Sequence, residues 1–83
     1  MCLAIPARIV TIEDGRMASV DIMGVTRKVS LDLTPEATEG DFVLVHAGFA
    51  LQVVDEQYAI ETLEFLKSIP DFAADEGVLL EGA

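Results

Sequence analysis

Apolar and polar residues alternate along the first part of the chain, and turn residues interrupt the alternation at short intervals. Residues 4–12, with several apolar residues and Pro6 near the start, predict a first strand. Two segments with a period of two, residues 17–22 and 25–33, predict the second and third strands as half-buried. In the third segment, one side is apolar from Val25 to Leu33 except for Arg27. We expect Arg27 either to extend its charged end to solvent or to pair with a carboxylate across the sheet.

Two further strands follow a polar connection at residues 34–40. The run from Phe42 to Ala47 is continuously apolar apart from His46, which is typical of a strand buried on both faces, and residues 49–54 form the next strand. Glycines follow Asp14, Met23 and Ala47, where we expect tight turns, with a positive φ at Gly48. Five short consecutive strands with tight turns predict a small β-barrel or a strongly curled sheet.

The hydrophobic period changes after the fifth strand. Asp55 is a suitable N-cap, an apolar stripe with helical spacing follows, and Pro70 is expected to end the helix. The residues of the stripe are Ala59, Leu63 and Leu66. The prediction is thus a single domain, 1–83, with a β-barrel at 1–54, a C-terminal α-helix at 55–69 and a short, flexible acidic tail at 70–83.

Charge and composition narrow the classes of partner. The 83 residues include fifteen acids and five bases, a formal net charge of −10, which disfavours nucleic acid and anionic membrane as ligands. No apolar run approaches the ~20 residues that span a bilayer, and Pro6 and Arg8 interrupt the apolar start, unlike a secretory signal. With one cysteine and no disulfide partner for it, we expect a cytoplasmic protein.

Two side chains could carry chemistry, a lone cysteine at position 2 and a lone histidine at position 46. If Met1 is removed, the free α-ammonium of Cys2 would lower the pKa of its thiol and favour the thiolate, which binds metals. Thiolate and imidazole suit a borderline metal such as iron, but two protein ligands leave the site incomplete, as a carrier requires. Enzymatic activity is poorly supported, because no third residue orients a Cys2–His46 pair.

Simpler interpretations exist for the same residues. An isolated His46 at a strand end is more often bonded to backbone than to a metal, and Cys2 could be a chance exposed residue. Phe49 is expected in the core, with an exposed anchor beside His46 as the alternative. Pro6 is expected to fix the direction in which the N-terminus leaves the barrel.

Two blocks of sequence resemble the HypC/HupF/HybG family of NiFe-hydrogenase maturation chaperones. The first is Met-Cys-Leu-Ala-Ile-Pro at residues 1–6, and the second is Gly-Asp-Phe-Val-Leu-Val-His-Ala-Gly-Phe-Ala at residues 40–50. The resemblance extends over essentially the whole chain. It departs from the family pattern at Ala7, where the family usually has glycine.

The resemblance implies an OB-like five-stranded β-barrel with a C-terminal helix, and a non-enzymatic chaperone. Its implied partners are HypD, with which the Fe(CN)2CO unit is assembled, and the hydrogenase large-subunit precursor, which receives that unit. Cys2 and His46 match the family residues proposed as transient iron ligands, and no cofactor is held permanently. The implied partner-binding residues are Cys2, Leu3, Ile5, Pro6, His46 and Phe49.

Two other functions remain open from the sequence. The chain could be a pure protein-interaction module that holds the precursor through Cys2 without binding iron. An OB-like barrel could also bind nucleic acid, but that function needs a basic groove with exposed aromatic residues, and only five aromatics accompany the acidic charge.

Overall fold

The computed structural model describes residues 4–14 and 16–68. These residues form five strands and one helix in the predicted order. The elements are β1 (Ile5–Glu13), β2 (Met17–Ile22), β3 (Val25–Ser30), β4 (Phe42–His46), β5 (Phe49–Val54) and α1 (Glu56–Lys67). The predicted Cys2 and Leu3 sites and the acidic tail at 70–83 lie outside the described residues.

The strands close into a barrel in the order β1-β2-β3-β5-β4. Neighbouring strands are antiparallel, except that β3 and β5 are parallel and pair only between Ser30 and Phe49. The Ser30 N–H donates to the Gly48 carbonyl at 2.8 Å at this point. The expected mainly β fold, an OB-like five-stranded barrel followed by a helix, is confirmed.

Small and branched side chains fill the barrel. In β2, Ala18, Val20 and Ile22 are fully buried and alternate with more exposed residues, as the sequence pattern predicts. The remaining fully buried apolar residues of the strands are Ile5, Pro6, Ala7, Ile9, Val29, Val43, Val45 and Ala50. Ala7, the departure from the family pattern, therefore contributes its methyl group to a regular strand that pairs with Val43.

The prediction that β4 is buried on both faces is wrong. Val43 and Val45 point into the core, whereas Phe42, Leu44 and His46 are only half-buried. The helix α1 contacts β1 and β4. The apolar run at β4 therefore marks one buried inner face and one half-buried face.

The predicted start of β3 at Val25 is confirmed, but the predicted end is wrong, because the strand ends at Ser30 instead of Leu33, which is 60% exposed. Val25 is exposed although it belongs to the apolar side, and Arg27 is exposed, as the first of its two interpretations expects. Parallel pairing with β5 begins only at Ser30, so the earlier residues of β3 extend past the barrel wall. After Ser30 the chain turns, with the Leu31 carbonyl accepting a hydrogen bond from the Thr34 N–H at 2.9 Å.

The helix begins as the sequence predicts. Asp55 is the N-cap, and its Oδ1 accepts a hydrogen bond from the Tyr58 N–H at 2.9 Å. Ala59 and Leu66 are buried and Leu63 packs against the core, while Ser68 is the C-cap. The predicted stop at Pro70 lies outside the described residues. No helix in the described part is long and apolar enough to cross a membrane.

Replacing the N-cap, Asp55→Ala, should lower the free energy of unfolding by about 1 kcal/mol, because the Tyr58 N–H loses its acceptor. Urea unfolding followed by circular dichroism measures this change. Asp55→Asn keeps an acceptor oxygen and should stay close to wild type. Equal destabilisation by both variants would show that the cap hydrogen bond is not the stabilising contact.

Candidate functional site

The turn between β4 and β5 is a two-residue reversal that presents His46 and Phe49 side by side. These two residues are cross-strand partners, and the turn residues Ala47 and Gly48 have φ angles of 53° and 84°. Positive φ at both central positions is typical of the turns that match the twist of a β-hairpin. The expectation for Gly48 is confirmed, and Ala47 adopts the same left-handed region without being glycine.

The start of β1 lies beside this turn. Ile5 pairs with Val45 and Pro6 with Leu44 in the antiparallel β1–β4 ladder. Extending this register by one residue sets Ala4 opposite His46, at the typical Cα separation of about 5 Å. The beginning of the described chain and the β4–β5 turn therefore form one end of the barrel.

The end of the barrel that holds this turn also includes β3. Ser30 of β3 is joined to the turn through Gly48 and Phe49. Because β3 and β5 run parallel, the residues before Ser30 continue past the turn, toward the β2–β3 connection at Met23 and Gly24. We define the candidate site as the start of β1, the β4–β5 turn and this projecting part of β3.

His46 and Phe49 differ in their exposure to solvent at this site. His46 is half-buried, and the Phe49 side chain is 45% exposed. The expectation that Phe49 belongs to the core is therefore wrong, and the alternative, an exposed ring beside His46, is what the structure shows. Alternation explains the difference, because Ala50 takes the inward position of β5 and Phe49 consequently points out.

Ile5 and Pro6 are part of the barrel wall. Both side chains are buried, as is Ala7, so both faces of β1 are covered at this point. The structure gives Ile5 and Pro6 a packing role that fixes the start of β1, next to Ala4. Direct contact of these two buried side chains with a partner stays a prediction, and it would require them to be uncovered.

The described residues do not supply a complete metal site. Among residues 4–14 and 16–68 there is no group of three or more His, Cys, Asp or Glu side chains placed to hold a metal ion. His46 is the one imidazole of the chain, and Cys2, the one thiol, lies outside these ranges. The described part of the site thus contains one imidazole, that of His46, and the exposed aromatic ring of Phe49.

Comparison with known proteins gives a consistent result. Residues 1–66 match the HupF/HypC family. A protein of Helicobacter hepaticus named hydrogenase maturation factor HypC is 47% identical over 70 residues, which cover 83% of this chain and 81% of that protein. The protein of the same name from Escherichia coli (strain K12) is 42% identical over 88 aligned positions, covering 99% of this chain and 97% of that protein. Another, from Cupriavidus necator, is 41% identical over 69 residues, covering 83% and 77%.

The chain belongs to the HupF/HypC family. The resemblance drawn from the first six residues and from residues 40–50 is thereby confirmed. Both blocks fall within the matched residues, and both contribute to the same end of the barrel in the described part, through Ala4 to Pro6 and His46 to Phe49.

Reasoning from sequence missed the part of the site that belongs to β3. The alternation from Val25 to Leu33 indicated a covered strand, and only the pairing register shows where the cover ends. The exposed charge of Arg27 within an apolar alternation was the available signal.

Gly48→Ala should destabilise the protein by about 1–2 kcal/mol, because an L-residue at a φ of 84° is strained. The space around a Cβ at this position is open, so no steric clash adds to that conformational cost. Ala47→Gly, at the neighbouring position, removes a left-handed alanine and should be neutral or slightly stabilising. Urea titration of the pair measures the difference, and equal stabilities for Gly48→Ala and wild type would contradict the described turn.

Proposed function

We propose that this protein is a hydrogenase maturation chaperone that scaffolds assembly of the Fe(CN)2CO unit with HypD and delivers it to the hydrogenase large-subunit precursor. The observation that supports this proposal is the β1–β4 register, which sets Ala4, two residues after Cys2, beside the His46 turn. The family to which the chain belongs, and relatives named hydrogenase maturation factor, support the same role.

Chain connectivity limits how far the thiol can be from the imidazole. Cys2 precedes Ala4 by two residues, at most about 7 Å of fully extended chain. The register sets Ala4 opposite His46. On this short segment between Cys2 and Ala4, the thiol can bind the same iron atom as the imidazole. The segment also allows the thiol to dissociate from that iron atom.

The two donors suit a cargo better than a resident cofactor. Thiolate and imidazole both bind iron, and the cyanide and carbonyl ligands of the cargo fill the coordination positions that the chaperone leaves open. Because the protein contributes few ligands, partner ligands can replace them one at a time during transfer. During transfer, a ligand of the partner protein would replace the Cys2 thiolate or the His46 imidazole on the iron. Ligand exchange of this kind leaves the oxidation state of the iron unchanged.

Phe49 and the buried start of β1 have supporting roles in this proposal. The exposed ring of Phe49 beside His46 provides apolar contact area for a partner protein at the iron site. Ile5 is buried inside the barrel and Pro6 is buried on the opposite face of β1, so both hold the strand that follows the segment between Cys2 and Ala4. The chaperone performs no catalysis and acts in the cytoplasm.

Cys2→Ala should abolish the CN and CO infrared bands of the purified complex between the chaperone and HypD. The thiolate is lost as an iron ligand, whereas the barrel that contacts HypD is unchanged. Copurification of HypD with the variant is the control for complex formation. Bands of full intensity in a complex that contains the Cys2→Ala chain would show that Cys2 does not carry the iron unit.

The same variant separates this function from a pure interaction module. The module binds the precursor through Cys2 without iron, so the isolated wild-type chaperone would contain no more iron than Cys2→Ala. If the protein is an iron carrier, the isolated wild type contains iron and Cys2→Ala contains much less. Iron content by mass spectrometry of the two proteins decides between them.

His46→Gln should reduce the infrared bands of the HypD complex severalfold, because the imidazole ligand is lost, and circular dichroism of the variant verifies that the barrel still folds. Phe49→Leu is a matched control, since it changes the cross-strand partner of His46 and retains the imidazole. A larger loss of bands in Phe49→Leu than in His46→Gln would argue against an imidazole ligand and for an apolar contact.

A further inference from the structure

One edge of β3 has no strand beside it among the described residues. Each of the six residues of β3 pairs with β2, from Val25 with Ile22 to Ser30 with Met17. On the other side, β5 reaches β3 only at Ser30. The four residues before Val29 thus form a strand with one paired and one open edge, within a barrel that is otherwise closed.

The hydrogen-bond directions show which backbone groups face the open edge. The Ser30 N–H points away from β2, to the Gly48 carbonyl, while the Leu31 N–H points toward β2, to the Arg16 carbonyl at 2.6 Å. Backbone groups of a strand alternate in direction from residue to residue. The N–H and C=O groups of Thr26 and Lys28 therefore face the open edge with Ser30, and those of Val25 and Arg27 face β2.

Side chains along this edge are unusually exposed for a barrel strand. Val25 and Arg27 lie on the inner face, because their partners Ile22 and Val20 point into the core, yet both are exposed. The ion pairs within the described residues join Lys28 to Glu13 and Arg16 to Asp32, and neither includes Arg27. In a chain with net charge −10, an exposed arginine outside these pairs favours a carboxylate from a partner.

The open edge continues directly from the candidate site. It starts where Ser30 bonds to Gly48 of the β4–β5 turn and extends past that turn. A strand added beside Thr26 and Lys28 would therefore end next to His46 and Phe49. A polypeptide segment bound at this edge would bring the residues that follow or precede it in its own chain close to His46.

We propose that the β3 edge at residues 25–28 accepts an extended segment of the large-subunit precursor as an additional strand. Main-chain hydrogen bonds to Thr26 and Lys28 supply affinity without requiring a fixed sequence. An acidic side chain opposite Arg27 and an aliphatic one beside Val25 supply selectivity. A precursor that has not finished folding offers such a segment, because its backbone groups are still free, whereas a folded partner has already paired them.

This inference rests on the proposed function for the identity of the partner, but it involves neither the thiol nor the iron. Residue-resolved amide exchange by NMR, on the full chain alone and with purified precursor, tests it. Amides of Thr26 and Lys28 should exchange rapidly in the free protein and become at least about tenfold protected in the complex. Amides of Val25 and Arg27, which face β2, are the internal control and should be protected in both states.

A charge reversal provides the second test. Arg27→Glu should weaken binding of the precursor by roughly tenfold, since an attraction becomes a repulsion at an exposed pair. Arg16→Glu makes the same change in charge at the opposite end of the β2–β3 ladder and should bind like wild type. Both arginines are exposed, so both variants should fold, which circular dichroism verifies.

Three results would overturn the inference. Thr26 and Lys28 amides that are protected in the free protein would mean that the chain itself occupies the edge. Protection induced by HypD and not by the precursor would assign the edge to a different partner. The precursor could bind the wild type and Arg27→Glu equally, with no added protection of the Thr26 and Lys28 amides. That result would leave the proposed chaperone function intact and show that the β3 edge is not the binding site for the precursor. If neither precursor nor HypD binds the wild-type chain, the proposed function itself fails.

Discussion

The antiparallel pairing of β1 with β4 is the constraint on which the rest of the structure depends. It closes the barrel, since β1 bonds to β2 along one part of its length and to β4 along the other. It buries Ile5 and Pro6 and so fixes where β1 begins. The same pairing sets Ala4 beside the turn that carries His46. Closure of the core and the arrangement of the described part of the candidate site therefore depend on the same pairing.

On another side of the barrel, β3 and β5 are paired at a single position. A single parallel pair, Ser30 with Phe49, joins β3 to β5, and a hydrogen bond from Ser30 to Gly48 reinforces it. The tight turn at Ala47 and Gly48 sets where β5 begins, and therefore how much of β3 is left without a neighbour. One turn thus positions His46, exposes Phe49 and leaves the β3 edge open, which links the proposed metal and strand sites physically.

Much of this architecture could be predicted from the sequence, because the local signals are strong. Alternation in β2 and the Asp55 cap follow from single-segment patterns that the tertiary structure does not alter. The errors arose where burial depends on a neighbour distant in sequence. Val25 and Leu33 are apolar but exposed, and one face of the apolar strand β4 is only half-buried. Phe49 points outward because Ala50 takes the inward place.

The two blocks of family sequence identified the candidate residues, and the β1–β4 register brings Ala4 of the first block beside His46 of the second. X-ray absorption at the iron edge of the chaperone, purified with its iron unit, tests the central claim most directly. We expect one sulfur and one imidazole nitrogen in the iron coordination shell, with the sulfur absent in Cys2→Ala and the nitrogen absent in His46→Gln. An iron shell in wild type that contains sulfur without imidazole nitrogen, unchanged in His46→Gln, would contradict that claim.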